Sequence, residues 1–298
     1  MTMLSKKSPS RGAGSPDVIG FYDPATGSAQ YLVWDPATGQ AALIDAVQEF
    51  DPASASTRFD AAQWALDQIA LRGLTLAWIL DTHPHADHLT ASDWLRRQSG
   101  APNAIGEKVR DIARLWARIY HDDFDPARDY DRLLADGEVL PLGQLDLRVM
   151  LHPGHTLGSV SYVVGDAAFV HDTFMQPDIG TTRADFPGGS AAQLYDSLQS
   201  ILSLPSDTRL FIGHDYRDAP EWESSVAEQR DRNAHIGGGV GREEFIRLRE
   251  ARDATLPLPA RMLYALQVNL RAGRLPPPEQ DGRSYFKIPA NHFAPPEG

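Results

Sequence analysis

The chain contains no cysteine among its 298 residues. This absence excludes disulfide bonds, thiolate ligands to a metal and a cysteine nucleophile. Any transition-metal site must therefore be built from histidine and carboxylate side chains. The absence of cysteine also fits a reducing compartment, and we expect a cytoplasmic protein.

Positive charge and long apolar runs are scarce as well. The chain has 28 lysines and arginines against 40 aspartates and glutamates, which gives a formal net charge of −12. This acidity argues against nucleic acid or an anionic membrane as a partner, because both would favour a basic surface. No apolar run reaches about 18 residues, so the sequence predicts no membrane-spanning helix.

The order of strand-like and helix-like segments predicts an α/β layered fold. Residues 21–27 and 33–39 both contain Asp-Pro-x-x-Gly, which is turn chemistry and predicts an N-terminal antiparallel meander. Later strands alternate with amphipathic helices. We expect a disordered leader over residues 1–16, because its basic start lacks the apolar run of a secretory signal. After it we expect a catalytic domain over residues 17–220 and an extension over 221–298 that packs on the same domain.

Four apolar segments each end in side chains that can bind a metal. The segment LAWIL runs into DTHPHADH, and three later segments run into a histidine or an aspartate. The candidate ligands are His83, His85, Asp87, His88, His155, Asp172 and His214. Loops at strand ends are where a rigid sheet gathers functional groups. Because imidazole and carboxylate suit zinc or iron better than calcium, the pattern predicts a transition-metal site.

The other five histidines show no such pattern. We interpret them as exposed or hydrogen-bonded residues: His121, His152, His171, His235 and His292. Only His171 invites closer attention, because it directly precedes Asp172.

Four motifs together resemble those of the metallo-β-lactamase superfamily: THPHADH, PGHT at 153–156, HDT at 171–173 and GHDY at 213–216. The resemblance covers about residues 18–218. It implies a four-layer αββα sandwich with the metals at one sheet edge, followed here by a C-terminal helical extension. The segment GTTRADF, residues 180–186, is more similar to the persulfide dioxygenase branch than to the glyoxalase II branch. Thr181 stands where the dioxygenases have cysteine, so a role for that thiol is not carried over.

The resemblance to the dioxygenases implies one Fe(II) per chain, held by His83, His155 and Asp172. Glutathione persulfide and O2 would be the small-molecule partners, and sulfite and glutathione the products. The remaining candidate ligands would orient the metal-bound groups and water: His85, Asp87, His88 and His214. Among all these residues, Asp87 and Asp172 are the candidate catalytic residues.

Two further residues are candidates for substrate binding. Arg183 has the planar fork that pairs with a glutathione carboxylate, and an ion pair with Asp185 is the alternative. Tyr216 is a candidate hydrogen-bond partner of the substrate, and packing is the alternative. The apolar residues 261–270 are predicted either to cover the active-site rim or to pair two subunits in a homodimer.

The same ligands also suit a second chemistry. Two Zn(II) ions bridged by Asp172 would activate a hydroxide that cleaves a glutathione thioester, as in the glyoxalase II branch, or less favourably a lactone or β-lactam. A metal-storage or flavodiiron-type electron-transfer role is a third class, but the sequence shows no flavin domain. The residues alone leave the dioxygenase and the hydrolase open.

Overall fold

The computed structural model describes residues 3–293. Its strands, in chain order, are β1 (Leu4–Ser8), β2 (Asp17–Asp23), β3 (Ser28–Trp34), β4 (Gln40–Ile44), β5 (Val47–Asp51), β6 (Ser56–Arg58), β7 (Thr75–Asp81), β8 (Leu89–Thr90), β9 (Asn103–Gly106), β10 (Arg132–Leu134), β11 (Val139–Leu142), β12 (Leu145–Leu151), β13 (Val160–Val164), β14 (Ala167–His171), β15 (Arg209–Ile212) and β16 (Glu223–Ser225). The helices are α1 (Asp60–Leu71), α2 (Ser92–Ser99), α3 (Val109–Tyr120), α4 (Pro126–Asp129), α5 (Ala191–Leu202), α6 (Val226–Arg232), α7 (Arg242–Asp253) and α8 (Met262–Asn269).

Two large sheets carry the fold. The first has the strand order β1-β2-β3-β4-β7-β9-β10, and the second has the order β11-β12-β13-β14-β15-β16. The predicted N-terminal meander is confirmed, since β2, β3 and β4 pair antiparallel. Beyond β4 the strands β7, β9 and β10 run parallel, which requires crossover connections such as α1 and α2. A small sheet, β6-β5-β8, lies beside them.

The two sheets pack face to face with helices on their outer sides. Successive side chains of a strand point to opposite faces, and β3 is buried on both. Tyr31 and Val33 join the core cluster that contains Leu147 and Phe169 of the second sheet. Leu32, with Trp34, joins the cluster formed with α1 and α2. The predicted αββα sandwich is confirmed by this layering.

The leader is where the structure departs from the prediction. Residues 4–8 form an edge strand that pairs antiparallel with β2, from Leu4 opposite Tyr22 to Ser8 opposite Val18. The sequence LSKKS lacks a strand-like apolar pattern because edge strands carry charges on the solvent side and take their stability from backbone pairing. The expectation of disorder over residues 1–16 is therefore wrong for this segment.

The extension is joined closely to the sandwich. Its strand β16 completes the second sheet beside β15, so the predicted boundary at residue 220 falls just before a strand of that sheet. Phe245 of α7 is buried in the central core cluster. Met262 and Leu266 of α8 pack in a cluster with Trp116 of α3. Within residues 3–293, no helix is both long and apolar enough to cross a membrane.

The two Asp-Pro-x-x-Gly segments form the same turn. In each, the aspartate side chain accepts a hydrogen bond from the N–H two residues later, and the glycine N–H donates to the aspartate carbonyl. Gly27 and Gly39 both have φ of +71°, a conformation that glycine adopts without a Cβ clash. The first turn also brings the Gly27 carbonyl to the cluster of candidate ligands.

Candidate metal centre

The structure brings all seven predicted ligands together at one edge of the sandwich. The loop after β7 carries four of them, and the ends of β12, β14 and β15 supply one each. The five histidines are at most 5% exposed and Asp172 is 7% exposed. Two groups of these residues, and a third that includes His171, have donor atoms within 4.8 Å of one another.

Asp172 lies at the middle of the cluster. The Nε2 atoms of His83 and His155 both lie 3.5 Å from its Oδ2. The Nε2 of His214 lies 3.4 Å from its other oxygen, Oδ1, and 3.5 Å from Oδ2 of Asp87. The two oxygens of one acid therefore face two different sets of donors.

Several donor atoms of the cluster are buried without any hydrogen bond: His83 Nε2, His85 Nδ1, His88 Nε2 and Asp172 Oδ1. A buried polar atom without a partner is costly, so such atoms require an explanation. Nitrogens that approach carboxylate oxygens without aligned hydrogen bonds have the arrangement of ligands that share one ion. The residues present therefore fit a transition metal, and the chemistry of the donor set, imidazole and carboxylate only, points the same way.

Neighbouring groups fix the imidazole rings. Nδ1 of His155 lies 2.8 Å from the Arg183 carbonyl, which accepts its proton and leaves Nε2 free for a metal. Nε2 of His85 lies 3.0 Å from Oδ1 of Asp45, so its Nδ1 faces the centre. Such outer partners select the tautomer of a ligating histidine.

The protonation states also suit metal binding. Burial, together with the imidazoles of His83 and His88, holds the pKa of His85 well below its ordinary value. Burial lowers the pKa of His155 to about 4. Burial also opposes the charge on His214, but Asp172 and Asp87 raise the pKa of His214 to about 10. His85 and His155 therefore offer neutral imidazoles to a metal, while His214 holds a proton that an ion can displace.

The C-terminal extension makes hydrogen bonds to the loop that carries four of the candidate ligands. Asn269 of α8 is 1% exposed, and its Nδ2 donates to the carbonyls of His85 and His88 at 2.8 Å. Its Oδ1 accepts from the Thr90 N–H at 2.8 Å. Residues 261–270 thus contact this loop through Asn269 and line the neighbouring cleft through Arg261, while their role in pairing two subunits stays a prediction.

Of the two candidate substrate-binding residues, Arg183 is engaged in an ion pair and Tyr216 is exposed. Arg183 donates to both carboxylate oxygens of Asp185, at 2.7 and 2.8 Å, and to the Pro257 carbonyl. Its fork is thus occupied by the ion pair that the sequence left as the alternative. Tyr216 is 68% exposed and stacks on the His214 ring, with 5.6 Å between ring centroids.

A cleft opens beside the cluster. Asp87 and Tyr216 line its smaller part, of about 380 Å³, together with Arg261 from the extension. A larger part, of about 1190 Å³, is lined by His88, Tyr216 and Arg217 among others. A small molecule can therefore approach the candidate ligands from this side.

Sequence reasoning missed two residues of the centre. Asp45 is 1% exposed, and besides contacting His85 it accepts hydrogen bonds from Thr82 N and Oγ1 at 2.7 and 2.9 Å. It follows the apolar strand β4, so the same strand-end signal that revealed the other ligands could have found it. His171, predicted to be exposed or hydrogen-bonded, lies inside the cluster with its ring centroid 4.5 Å from that of His85.

Comparisons with known proteins agree with this geometry. A sequence model of the metallo-beta-lactamase superfamily matches residues 23–214. The "Beta-lactamase hydrolase-like protein" of Agrobacterium fabrum is 53% identical over 282 residues, which are 93% of this chain and 65% of that protein. The chain thus spans 65% of the length of this curated relative.

More distant relatives are named for two different activities. The human "Persulfide dioxygenase ETHE1, mitochondrial" is 30% identical over 88% of this chain and 91% of its own length. The "Hydroxyacylglutathione hydrolase" of a Bradyrhizobium strain is 32% identical over 76% of each chain. The crystal structure of ETHE1 from Myxococcus xanthus is similar with a TM-score of 0.70 and 33% identity, covering 86% of this chain and 98% of that one.

Proposed function

We propose, on the premise that this chain belongs to the metallo-β-lactamase superfamily, that it is a non-haem iron persulfide dioxygenase acting on glutathione persulfide. The observation that carries the proposal is the convergence of His83 and His155 on one oxygen of Asp172, both at 3.5 Å. Two imidazoles and one carboxylate on one face of an ion form the ligand set of non-haem Fe(II) oxygenases. The likeness to the human persulfide dioxygenase and to ETHE1 of Myxococcus xanthus supports the same choice.

The proposed reaction converts glutathione persulfide, O2 and water into glutathione and sulfite. The S–S bond breaks: the outer sulfur gives four electrons to O2 and leaves as sulfite with one oxygen from water, the inner sulfur takes up a proton to become the glutathione thiol, and two protons are released. A bound Fe(II) would supply the positions at which O2 and the substrate sulfur meet.

The protein's own part is to position groups and to limit access. His83, His155 and Asp172 would hold the ion, and the Arg183 carbonyl keeps the His155 ring turned toward it. Tyr216, which is exposed and stacks on His214, would contact the substrate. Since the fork of Arg183 is occupied by Asp185, we propose Arg261, which lines the cleft, as the cation that meets the substrate instead.

A second candidate is a dinuclear hydrolase of a glutathione thioester. The observation that favours it is the group formed by Asp87, Asp172 and His214, which would hold a second ion on the Oδ1 side of Asp172. A hydroxide between two such ions would attack the thioester carbonyl. The hydroxyacylglutathione hydrolase relative supports this reading.

Metal content and O2 uptake separate the two candidates. Protein purified without added metal is analysed for its elements, and O2 consumption is followed with glutathione persulfide. The dioxygenase predicts about one iron per chain and rapid uptake. About two zinc ions per chain, with cleavage of S-lactoylglutathione and no uptake, would overturn it. A His83→Ala variant should lose iron and uptake together, whereas His292→Ala, at an exposed site, should retain both.

A further inference from the structure

The short segment 181–184 contacts two of the candidate ligands. The Thr182 hydroxyl donates to the backbone carbonyl of Asp172 at 2.8 Å. The Arg183 carbonyl accepts from Nδ1 of His155, also at 2.8 Å. Because both contacts come from the middle of the segment, its position determines where the His155 ring points.

The ends of the same segment are bound by α7 of the C-terminal extension. Nη1 of Arg249 donates to the Thr181 carbonyl at 2.8 Å. Oδ2 of Asp253 accepts from the Ala184 N–H at 2.9 Å. The residues on either side of the two that touch the centre are thus held by side chains one turn apart on a single helix.

Arg249 and Asp253 also bind each other in a buried ion pair. They are 2% and 4% exposed, and Nε and Nη2 of Arg249 both donate to Oδ1 of Asp253, at 2.9 and 2.6 Å. A buried ion pair is a weak source of stability, because desolvation offsets the attraction between the charges. What this pair supplies is two further hydrogen bonds of fixed direction, one to each end of the segment 181–184.

This arrangement reaches the metal centre through the His155 ring. His155 is 5% exposed, and with its Nδ1 proton given to the Arg183 carbonyl, its Nε2 faces Oδ2 of Asp172 at 3.5 Å. The group that accepts this proton selects the tautomer of a ligating histidine and fixes its ring. Movement of the Arg183 carbonyl would therefore release the ring and weaken its hold on an ion.

We propose that Arg249 and Asp253 are positioning residues, which fix the Arg183 carbonyl against His155 and thereby set the metal affinity of the centre. Both act through the segment 181–184. The inference rests on His155 as a metal ligand, which the single-iron dioxygenase and the two-zinc hydrolase both require. It therefore goes beyond the choice between the two proposed functions and assigns a role to the extension.

The test compares Arg249→Met with a matched control, Arg209→Met. Arg209 is likewise buried, at 1% exposed, and pairs with Asp166 at 2.7 Å, but its remaining hydrogen bonds go to residues 8–16. Methionine keeps the stem of either arginine and removes its donors. Chelator competition measures the Zn(II) affinity of the metal-free proteins, and urea unfolding measures their stability. We expect both variants to lose stability, but only Arg249→Met to bind Zn(II) about 10- to 100-fold more weakly than wild type.

A second measurement observes the His155 ring directly. In metal-free protein with isotope-labelled histidine, NMR detects the Nδ1 proton of His155, which is identified by its absence in His155→Ala. We expect this proton to be protected from exchange with water in wild type and in Arg209→Met. In Arg249→Met it should exchange faster, because the carbonyl that accepts it is no longer held in place.

An Asp253→Asn variant tests the other member of the pair and serves if Arg249→Met does not fold. Asparagine has nearly the same size but offers one oxygen where Arg249 and the Ala184 N–H need two, so Zn(II) binding should again weaken. Unchanged Zn(II) affinity in the folded variants, or an equal loss in Arg249→Met and Arg209→Met, would overturn the inference. Wild type that binds metal but consumes no O2 with glutathione persulfide would refute the proposed dioxygenase and leave this inference standing.

Discussion

Replacing Asn269 with aspartate changes one NH2 group into an oxygen and should weaken both the fold and the metal centre. In the structure this NH2 donates at 2.8 Å to the carbonyls of His85 and His88. The variant leaves both buried carbonyls without a donor and sets a negative oxygen against them. Each unsatisfied buried group costs about 1–3 kcal/mol, so we expect a loss of about 2–6 kcal/mol. Against a total stability of about 5–15 kcal/mol, this is a large fraction.

Urea unfolding of the metal-free protein measures this loss, and chelator competition measures the affinity for Zn(II). The matched control is Gln267→Glu in the same helix, where the amide donates to the Leu263 and Lys287 carbonyls and touches no candidate ligand. Both variants should lose stability, but only Asn269→Asp should also lose metal affinity. A loss below about 1 kcal/mol in Asn269→Asp, or equal metal affinity in the two variants, would refute the reasoning.

Four further predictions concern the centre and its surroundings. Asp45→Asn should weaken metal binding about 10- to 100-fold in the same competition assay, and unchanged binding would contradict its role in orienting His85. His155→Ala should abolish O2 uptake, whereas His214→Ala should reduce it far less; equal and total loss of iron in both would favour the dinuclear hydrolase. Gly213→Ala should remove the metal but not the fold, because its Cβ would lie 2.5 Å from Oδ1 of Asp172, and normal metal content would count against this packing. Burial lowers the pKa of His152 to about 4, below the ordinary 6.5. Because the unfolded chain therefore takes up this proton first, the free energy of unfolding should fall by about 3 kcal/mol as the pH drops from 6.5 to 4. Melting of the metal-free protein against pH should be steeper for wild type than for His152→Gln, and equal slopes would contradict the assignment.

The ligands were predictable because each follows an apolar strand in a short local motif. His83, His85, Asp87 and His88 lie within six consecutive residues after β7, and the ends of β12, β14 and β15 meet this loop at one edge of the sandwich. The Asp-Pro-x-x-Gly turns were likewise predictable, since the aspartate and glycine make their contacts within five residues. Local chemistry was sufficient in both cases.

What escaped prediction depends on long-range contacts. Asp45 follows a strand as the other ligands do, but its contact with His85, forty positions later in the chain, depends on the fold. His171 lies at a register shift between β14 and β15, which no periodicity in the sequence reveals. The strand β1 has its partner in β2 rather than in its own composition. The partner of Arg183 could not be assigned because the sequence is compatible with two, the nearby Asp185 and a carboxylate of the substrate.

The hydrogen bonds from Asn269 show that the chain can contain every candidate ligand before the loop that carries four of them is fixed in place. Every predicted ligand lies before residue 215, so a ribosome has completed the whole set long before α8 emerges. A chain released at residue 220 would carry all seven donors but would lack the two hydrogen bonds from Asn269 to the carbonyls of His85 and His88. The geometry of this loop therefore depends on a residue that lies 181 to 184 positions later in the chain.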